Sequence, residues 1–490
     1  MQGRAIPQEQ HVIIVGGGIS GLATAYYLQQ QAHKTGQSLT IHLVEATPRW
    51  GGVIRTVREG GFIVEGGPDS ILSYKPAGLA LWRELGLMEE VVGTSREHQG
   101  SFIYSRGALH PLPEGLTLMI PARLGPLFRT SLISWKGKVR AGLDLLRTHR
   151  PDGRDVSVAE FVCTHLGQEV FERIVEPLFA GIYGGDAREL SVAATYPQLL
   201  DITRAHGSLL RGLLAHRRQA RARRNGSPRW TPFVTLRQGL YQMVETLLSA
   251  CSSVHFHPDT PVKAVRLREG SCSPSAPRWE VVLATGERHP AHVVVLATPA
   301  HISAQLVASF DGELAHSLAA IPYASTVTVS LAYPREAIEH PLNGYGFVVP
   351  RVEGRPLLAC TWTSSKFPHR APQGHVLLRC FLGRAGADEV LSLSDAEIVA
   401  LVRQELRDIM GIKARPERVW IFRWSRALPQ YVIGHRERLE HINARVAHWP
   451  GLYLVGNAYR GVGIPDCIAG GQHVAQQVLS EVSPTMEGAQ

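Results

Sequence analysis

A glycine motif close to the amino terminus has the spacing of a nucleotide-phosphate site. Residues 16–21 read G-G-G-I-S-G, and they follow the apolar, β-branched run 12–15. Such a run predicts a buried parallel strand, and the residues after it predict a helix. Between a strand and a helix, G-x-G-x-x-G lets the backbone turn tightly and approach a pyrophosphate, while the helix amino terminus offers free N–H groups. We expect phosphate contacts from Gly16, Gly17, Gly18, Ile19, Ser20 and Gly21.

An acidic residue ends the next predicted strand. The segment 39–46, LTIHLVEA, carries Glu45 where an acidic side chain would accept hydrogen bonds from a ribose hydroxyl. Strand, glycine motif, helix, strand and acid complete one βαβ unit, which predicts a dinucleotide site. For the glycine motif alone, a tight turn without a ligand is the alternative.

A second glycine-rich stretch lies near the carboxyl end. In residues 452–471, LYLVGNAYRGVGIPDCIAGG, an apolar strand enters a glycine-rich turn, and a helix begins near Pro465 with Asp466 in its first turn. Bare backbone of this kind can approach a flat ring, or the glycines can serve helix packing. The residues alone leave both alternatives open.

The chain that carries these glycine motifs has the composition of an ordinary globular protein. It has 490 residues, of which 44% are hydrophobic and 19% charged, enough for two or three domains. The formal net charge of +9 favours an anionic partner. Six scattered cysteines without a C-x-x-C pair indicate a reducing compartment. Because we find neither a signal peptide nor an apolar run long enough to span a bilayer, we expect a cytoplasmic protein.

Several other chemistries are not supported by the pattern. His255 and His257 alternate along a predicted strand and share a face, but no third ligand is evident, so we predict no metal site. No G-x-S-x-G occurs, which excludes hydrolases that use this motif. The run 206–226 joins leucines to many arginines and could rest on an anionic membrane, or be a solvated loop. Without interleaved aromatic residues it does not predict nucleic-acid binding.

The alternation of element types divides the chain into three regions. Residues 1–95, 230–300 and 413–490 have the pattern of one discontinuous nucleotide-binding domain. Residues 96–222 read as helices and loops, and residues 301–412 as antiparallel strands that could form a wall for a substrate. We therefore expect an α/β fold with a Rossmann-like domain, an antiparallel-sheet substrate domain and a mostly helical domain that could associate with a membrane.

Two segments around and after Glu45 resemble signatures of flavoproteins. Arg49, Gly51 and Gly52 are similar to the arginine and double-glycine turn of two-dinucleotide-binding flavoproteins. EGGPDS at 65–70 is similar to the segment that passes beside the isoalloxazine ring in the flavin amine oxidase superfamily. The resemblance implies FAD as the cofactor, with contacts from Ala46, Arg49, Gly51, Gly52, Gly67, Pro68, Asp69 and Ser70.

Further segments resemble the oxygen-dependent protoporphyrinogen and coproporphyrinogen oxidases over nearly the whole chain. They are GPDSI, EPLFAGIYGGD, CTWTSSKFPHRAPQGHVLLRCFLG, WSRALPQYVIGH and the carboxyl-terminal glycine stretch. The resemblance implies that FAD is bound noncovalently, which leaves Cys467 without a covalent link to the flavin. It also implies FAD contacts from Val262, Trp424, Val462, Gly463 and Ile464.

The same resemblance implies a reaction and a substrate. A porphyrinogen would lose six electrons in three two-electron steps, with O2 as acceptor and H2O2 as product, in heme biosynthesis. Arg55 matches a family position that faces a substrate propionate, and a solvated strand arginine is the alternative. Lys75 is a second cationic candidate, with a surface lysine as its alternative. Trp362 either lines the macrocycle slot or is a core aromatic residue, and we predict no catalytic acid or base.

Several functions stay open on the sequence. Protoporphyrinogen and coproporphyrinogen are both candidate substrates. One rival is another flavin oxidase that acts on amines or carotenoids. The other rival is a non-enzymatic binding protein on the same fold, which would take up no FAD.

Overall fold

The computed structural model describes residues 9–117, 119–121, 123–148, 153–222, 230–268 and 276–482. Its strands, numbered in chain order, are β1 Gln10–Val15, β2 Leu39–Val44, β3 Thr56–Glu59, β4 Phe62–Glu65, β5 Ile71–Leu72, β6 Val91–Gly93, β7 Phe102–Ser105, β8 Ala108–Pro111, β9 Leu116–Thr117, β10 Ile120–Pro121, β11 Phe233–Leu236, β12 Val254–His257, β13 Val262–Leu267, β14 Trp279–Leu283, β15 Arg288–Ala291, β16 Val293–Leu296, β17 Tyr323–Pro334, β18 Gly346–Val348, β19 Leu357–Trp362, β20 His375–Leu382, β21 Arg418–Pro429 and β22 Leu452–Leu454. Its α-helices are α1 Ile19–Thr35, α2 Pro76–Glu84, α3 Leu124–Arg129, α4 Trp135–Gly142, α5 Val158–Leu166, α6 Gln168–Val170, α7 Glu176–Tyr183, α8 Val192–Thr195, α9 Pro197–His206, α10 Leu209–Ala222, α11 Tyr241–Ala250, α12 Ala300–Val307, α13 Gly312–Ala319, α14 Thr363–Lys366, α15 Asp395–Met410, α16 His435–Val446 and α17 Ile464–Val482.

A five-stranded parallel sheet carries the predicted nucleotide site. Its order is β12-β2-β1-β16-β22, and every neighbouring pair is parallel. The last four residues of β1 are buried, which explains their apolar, β-branched character. Because three distant parts of the chain pair in this sheet, the discontinuous Rossmann-like arrangement predicted from the sequence is confirmed.

Two helices from opposite ends of the chain pack against each other. Helix α1 begins directly after the glycine motif and contacts α17 along its length. At this contact a Cβ on Gly471 would lie 2.9 Å from Thr24 N, too close for a side chain. Part of the carboxyl-terminal glycine stretch therefore serves helix packing, which was one of the two alternatives.

A seven-stranded sheet forms the other large layer. Its order is β21-β17-β20-β19-β18-β7-β8, and only the β18–β7 pair is parallel. The predicted antiparallel region, 301–412, is therefore too short, because β7 and β8 come from the predicted helical region and β21 from the last nucleotide-binding segment. Strand β21 pairs with β17 over almost its full length, and partners so distant in sequence leave no local pattern.

The helical layer contains α3 to α10 around one hydrophobic core. Three leucines of the predicted membrane run, Leu209, Leu210 and Leu213, are fully buried in this core. These leucines cannot join the arginines on a lipid surface, and residues 223–226 of the run lie outside the described residues. Among the helices that the structure describes, none has the length and apolar character needed to cross a bilayer.

The layers meet where the parallel strands end. Trp424 of β21 donates its indole N–H to Gly66 O at 2.8 Å, and Val462 packs against the helical core. In open parallel sheets, ligands bind outside the carboxyl ends of the strands. The predicted cofactor residues therefore lie at the edge where this fold type places a ligand.

Candidate cofactor and substrate site

The glycine motif forms the turn between β1 and α1. Gly16 has φ +109°, and a Cβ on Gly21 would lie 2.0 Å from Gly16 O, so the helix approaches the strand closely. At Gly18, an added Cβ meets no described atom within 4 Å, and no side chain caps α1. Open space therefore lies at the amino terminus of α1, where Ile19 and Ser20 form the first turn. The N–H groups and dipole of this terminus favour a phosphate.

Glu45 connects the second strand to the glycine turn. Its Oε2 accepts from Gly17 N at 2.7 Å, and its Oε1 accepts from Thr47 N at 3.0 Å. The side chain is half-buried, and Ala46 beside it is exposed. A carboxylate oxygen has two lone pairs, so Glu45 can hold the turn and still accept from a ribose hydroxyl. Val262 is half-buried at the start of β13.

The double-glycine turn lies directly against the first motif. Gly51 N donates to Gly17 O at 2.8 Å, and a Cβ on Gly52 would lie 3.2 Å from the Gly18 Cα. Both glycines of this turn have positive φ, which explains their residue type. The Arg49 guanidinium donates to the carbonyl oxygens of the turn, and burial lowers its pKa. Arg49 therefore positions the turn.

The segment 65–70 passes between the turn and β21. A Cβ on Gly67 would lie 1.8 Å from Val53 O, so glycine is required there. Gly66 O accepts from Trp424 Nε1 and from Thr328 Oγ1, both at 2.8 Å. The half-buried Trp424 indole is thus fixed beside this segment, and its contact with the flavin, which the resemblance implies, stays a prediction.

A buried charged cluster holds the same segment, and the sequence analysis did not identify it. Lys366 Nζ lies 2.8 Å from Asp69 Oδ2, while the Arg379 guanidinium donates to the carbonyls of residues 66–67. Burial opposes ionisation of Asp69, but the charges of Lys366 and Arg379 outweigh it and hold its pKa well below the ordinary value. Ser70 donates to Asp69 Oδ1 at 2.6 Å, which adds to this effect. Pro68 is half-buried between these groups.

A second buried pair lies next to this cluster. Glu65 Oε1 is 3.1 Å from Arg370 NH2, and both side chains are almost fully buried. Burial raises the pKa of Glu65, although the Arg370 charge opposes this shift. A signal for these cations existed in the sequence: Arg379 interrupts the apolar strand HVLLRCFL, and a buried arginine needs a partner.

Tyr431 fastens the carboxyl-terminal glycine turn. Its hydroxyl donates to Asn457 O at 2.6 Å and accepts from Gly461 N at 2.9 Å. The ring is 3% exposed and stacks on His435 with 4.2 Å between ring centroids. Burial raises the pKa of Tyr431, so the hydroxyl stays protonated and keeps both bonds. The turn continues into Val462, Gly463 and Ile464, the predicted flavin contacts at the start of α17.

The two predicted substrate cations have different surroundings. Arg55 is exposed, and its guanidinium lies over the Phe422 ring at 5.0 Å from the centroid. Lys75 instead forms an ion pair with Asp466, with Nζ 2.6 Å from Oδ2. Asp466 also accepts from Gly463 N at 3.2 Å, so Lys75 is tied to the turn at the start of α17. Because its charge is already balanced, Lys75 is the weaker candidate for binding a propionate.

Trp362 does not line an open slot. Its side chain is fully buried and packs against Phe102 and His340, with 5.5 and 4.8 Å between ring centroids. The prediction of a macrocycle contact is therefore wrong, and the core alternative is correct. The error has a physical reason: which face of β19 is covered depends on strands from other parts of the sheet.

The histidine pair considered for a metal belongs to a larger cluster. His42 Nδ1 lies 3.0 Å from His257 Nε2, and His255 stacks on His42 at 5.0 Å. Burial, followed by the neighbouring histidines, lowers the pKa of His42 to about 4. Within the described residues, no group of three or more side chains has the geometry of a metal site.

These observations fit a dinucleotide with a flat ring. An unfilled space at Gly18 suits phosphate, and Glu45 suits a ribose. The 65–70 segment and the turn bonded by Tyr431 offer glycine backbone that a flat ring can approach. The contacts join the two ends of the chain, as Lys75 with Asp466 illustrates.

Comparison with known proteins identifies the family of the chain. Residues 19–479 match the family of flavin containing amine oxidoreductases. The chain is 34% identical over 473 residues to the coproporphyrinogen III oxidase of Bacillus subtilis (strain 168), covering 96% of this chain and 98% of that protein. It is 32% identical over 494 residues to the protoporphyrinogen oxidase of Homo sapiens, covering 96% and 98%.

A solved structure extends the similarity to the whole fold. A protein of Exiguobacterium sp. 255-15, provisionally assigned as a protoporphyrinogen oxidase, is 33% identical with a TM-score of 0.82, over 96% of this chain and 99% of that chain. The predicted fold class is confirmed, and the flavin of the family confirms the predicted cofactor, FAD. The chain therefore belongs to the flavin containing amine oxidoreductase family, and it resembles the coproporphyrinogen III and protoporphyrinogen oxidases over almost its full length.

Proposed function

We propose that this protein is an FAD-dependent porphyrinogen oxidase of heme biosynthesis. It would remove six electrons from a porphyrinogen in three two-electron steps, with O2 as acceptor and H2O2 as product. The observation that carries the proposal is the 34% identity to a coproporphyrinogen III oxidase, in an alignment that covers 96% of this chain. The open glycine turn and the segment 65–70 support it, because both suit a flavin dinucleotide.

The residues of the chain would bind and orient, and a bound flavin would supply the two-electron oxidation. The amino terminus of α1 would hold the phosphates, and Glu45 the ribose. We propose that the flavin is noncovalent, because Cys467 is buried and burial raises the pKa of its thiol to about 11. A neutral thiol is a poor nucleophile. We assign no catalytic acid or base.

We propose coproporphyrinogen III as the preferred substrate. Three bacterial coproporphyrinogen III oxidases are 33–35% identical to the chain, whereas the protoporphyrinogen oxidases are 29–32% identical. The two substrates differ in their number of propionates, so cations at the site would separate them. Measuring kcat/KM for both porphyrinogens on the FAD-loaded protein decides between them.

The test of the function begins with purified protein and added FAD. We expect a yellow protein that converts porphyrinogen to fluorescent porphyrin in air and produces H2O2 in proportion. A yellow protein that forms no porphyrin but oxidises amines or carotenoids would favour the other flavin oxidases. A colourless protein that takes up no FAD would favour a binding protein without enzymatic activity.

Arg55 is the proposed propionate contact. It is exposed beside Phe422, and one charge-assisted hydrogen bond is worth about 1.5 to 3 kcal/mol. Arg55→Ala should therefore raise KM about tenfold or more and leave FAD binding intact, while Arg55→Lys should keep part of the affinity. An unchanged KM in Arg55→Ala would remove the assignment.

The remaining partners are also proposals. We propose O2 as the electron acceptor and the cytoplasm as the compartment, where the free thiols of the described cysteines, Cys163, Cys251, Cys360, Cys380 and Cys467, would stay reduced. We also propose peripheral contact with an anionic membrane, and no nucleic-acid partner.

A further inference from the structure

Five charged side chains in and beside the segment 65–70 carry an excess of positive charge. They are the carboxylates of Glu65 and Asp69 and the cations of Lys366, Arg370 and Arg379, here named the five-charge cluster. With both carboxylates ionised, three cations face two anions, and the excess grows to two charges if Glu65 holds a proton. The cluster is therefore positive in either protonation state of Glu65.

Two of the cations touch the segment itself. The Arg379 guanidinium donates to the carbonyl oxygens of residues 66–67. Lys366 Nζ lies 2.8 Å from Asp69 Oδ2 and 3.3 Å from Ser70 Oγ. The positive charge is thus held directly against the backbone that is proposed to face a bound flavin.

Other neighbours do not neutralise this excess charge. Arg379 is 4% exposed, and its Nε has no hydrogen-bond partner among the described residues. Burial lowers the pKa of Arg379, and the charges of Asp69 and Glu65 offset this shift only in part. The next cation outward, Arg58, is paired with Glu245 at 2.9 Å and adds no net charge. Because water and salt screen buried charges only weakly, the cluster acts on groups adjacent to it.

We propose that the five-charge cluster raises the reduction potential of the bound flavin, and so makes the ring a better acceptor of electrons from the substrate. The inference rests on the proposed function, in which the isoalloxazine ring lies beside the segment 65–70. The field of a buried positive charge stabilises a ring that has gained negative charge more than it stabilises the neutral, oxidised ring.

The electron balance of the proposed reaction produces such a negative charge. A hydride that leaves the porphyrinogen carries two electrons and one proton, so the ring that accepts it gains one negative charge. The second proton of each oxidation passes to solvent. O2 then takes up the two electrons with two protons and leaves as H2O2.

Holding the segment in place does not by itself require an excess of cations. Buried ion pairs cost desolvation, and a buried cation without a partner costs more. Equal numbers of cations and carboxylates would hold the same backbone at a lower cost. The third cation therefore indicates that the cluster meets a negative charge supplied by a ligand, and a ring that becomes negative during the reaction supplies one.

The reduction potential of the FAD-loaded protein, measured anaerobically against a redox dye, tests the proposal without any porphyrinogen. Arg379→Gln removes one cation and should lower the potential by about 30 mV or more, a tenfold change in the equilibrium constant of a two-electron reduction. Arg379→Lys keeps the charge and should stay close to the parent value. Asp69→Asn removes an anion and should raise the potential. Lys366→Gln removes a second cation, so it replaces Arg379→Gln if that variant does not fold.

A matched control removes a cation elsewhere. Arg355 pairs with Glu405 at 3.0 Å and with Asp408 at 3.4 Å, both on α15, and Arg355→Gln should leave the potential unchanged. The parent potential in Arg379→Gln would overturn the proposal. A fall of the potential in both Arg379→Gln and Asp69→Asn would also overturn it, because loss of structural support explains that result.

The outcome for the proposed function is separate. If the potentials shift as expected but the parent protein forms no porphyrin, the proposed substrate is refuted and the role of the cluster stands. A parent protein that takes up no FAD would overturn both.

Discussion

Gly18→Ala separates cofactor binding from folding. Gly18 has φ −70° and ψ 177°, a backbone conformation that alanine adopts without strain, and an added Cβ meets no described atom within 4 Å. Alanine restricts the unfolded chain, which stabilises by about 0.4–1 kcal/mol. Gly18 is also the N-cap of α1, where alanine is less favourable than glycine. Because the two effects oppose each other, the stability of the apoprotein should change by less than about 1 kcal/mol.

The same methyl group would occupy the space proposed for a phosphate at the amino terminus of α1. If it displaces one charge-assisted hydrogen bond of about 1.5–3 kcal/mol, the Kd for FAD should rise about 10- to 150-fold. The variant therefore combines a nearly unchanged Tm of the apoprotein with weaker FAD binding. Quenching of flavin fluorescence during titration of the apoprotein measures Kd, and a thermal melt measures Tm.

Gly21→Ala is the contrasting variant. Its Cβ would lie 2.0 Å from Gly16 O, so α1 would have to move away from β1. We expect the Tm of the apoprotein and the FAD affinity to fall together. If Gly18→Ala binds FAD with the parent Kd, the placement of the phosphates at this helix terminus is refuted.

Tyr431→Phe should lower FAD retention about tenfold or more, because two partly buried backbone groups of the carboxyl-terminal turn lose their partner at a cost of about 1–3 kcal/mol. Lys366→Met should lower the free energy of unfolding at pH 7 by about 3 kcal/mol in a denaturant titration, because Asp69 keeps its charge and loses its closest cation. Stability should also fall as the pH drops from 6.5 towards 4, because the pKa of His42 is about 4 in the folded protein and near 6.5 when unfolded. As the pH falls, His42 therefore binds a proton in the unfolded chain before it does so in the folded protein. In Tm measurements over this pH range, His42→Gln should reduce the fall of Tm.

Each of these predictions has a control. Tyr333→Phe removes a hydroxyl that is fully buried and has no partner among the described residues, so it should leave FAD retention unchanged. Adding Asp69→Asn to Lys366→Met should recover part of the lost stability, since no unpaired charge remains. The exposed His33→Gln should keep the parent pH profile. Equal FAD retention in the two tyrosine variants, or equal pH profiles in the two histidine variants, would contradict the reasoning.

The local turns of the candidate cofactor site were predictable where their geometry depends on consecutive residues. Gly16, Gly18 and Gly21 act through φ angles and close approaches within one turn, and these constraints are written in neighbouring positions. The same holds for the double glycine at 51–52. The resemblance of longer segments to known flavoproteins indicated the flavin cofactor and the family.

The predictions failed where burial depends on distant partners. Trp362 has the type and setting of a slot residue, yet Phe102 covers it from another strand. The partner of Lys75, Asp466, also comes from the other end of the chain, so no local pattern predicted this ion pair; a propionate contact of Lys75 stays a prediction.

The amino-acid order of this protein specifies the class of cofactor and the local turns that receive it, because a glycine's freedom is a property of its own backbone. The tertiary structure determines which charged side chains form ion pairs and which apolar side chains stay exposed to solvent. Lys366 meets Asp69 across 297 positions and Arg379 meets Gly67 across 312. The side chains of Trp135, Val139 and Leu146 stay exposed, whereas Asp144 nearby is fully buried and bonded to groups from two other segments of the chain. Such outcomes depend on the packing of all layers together, which a short stretch of sequence does not determine.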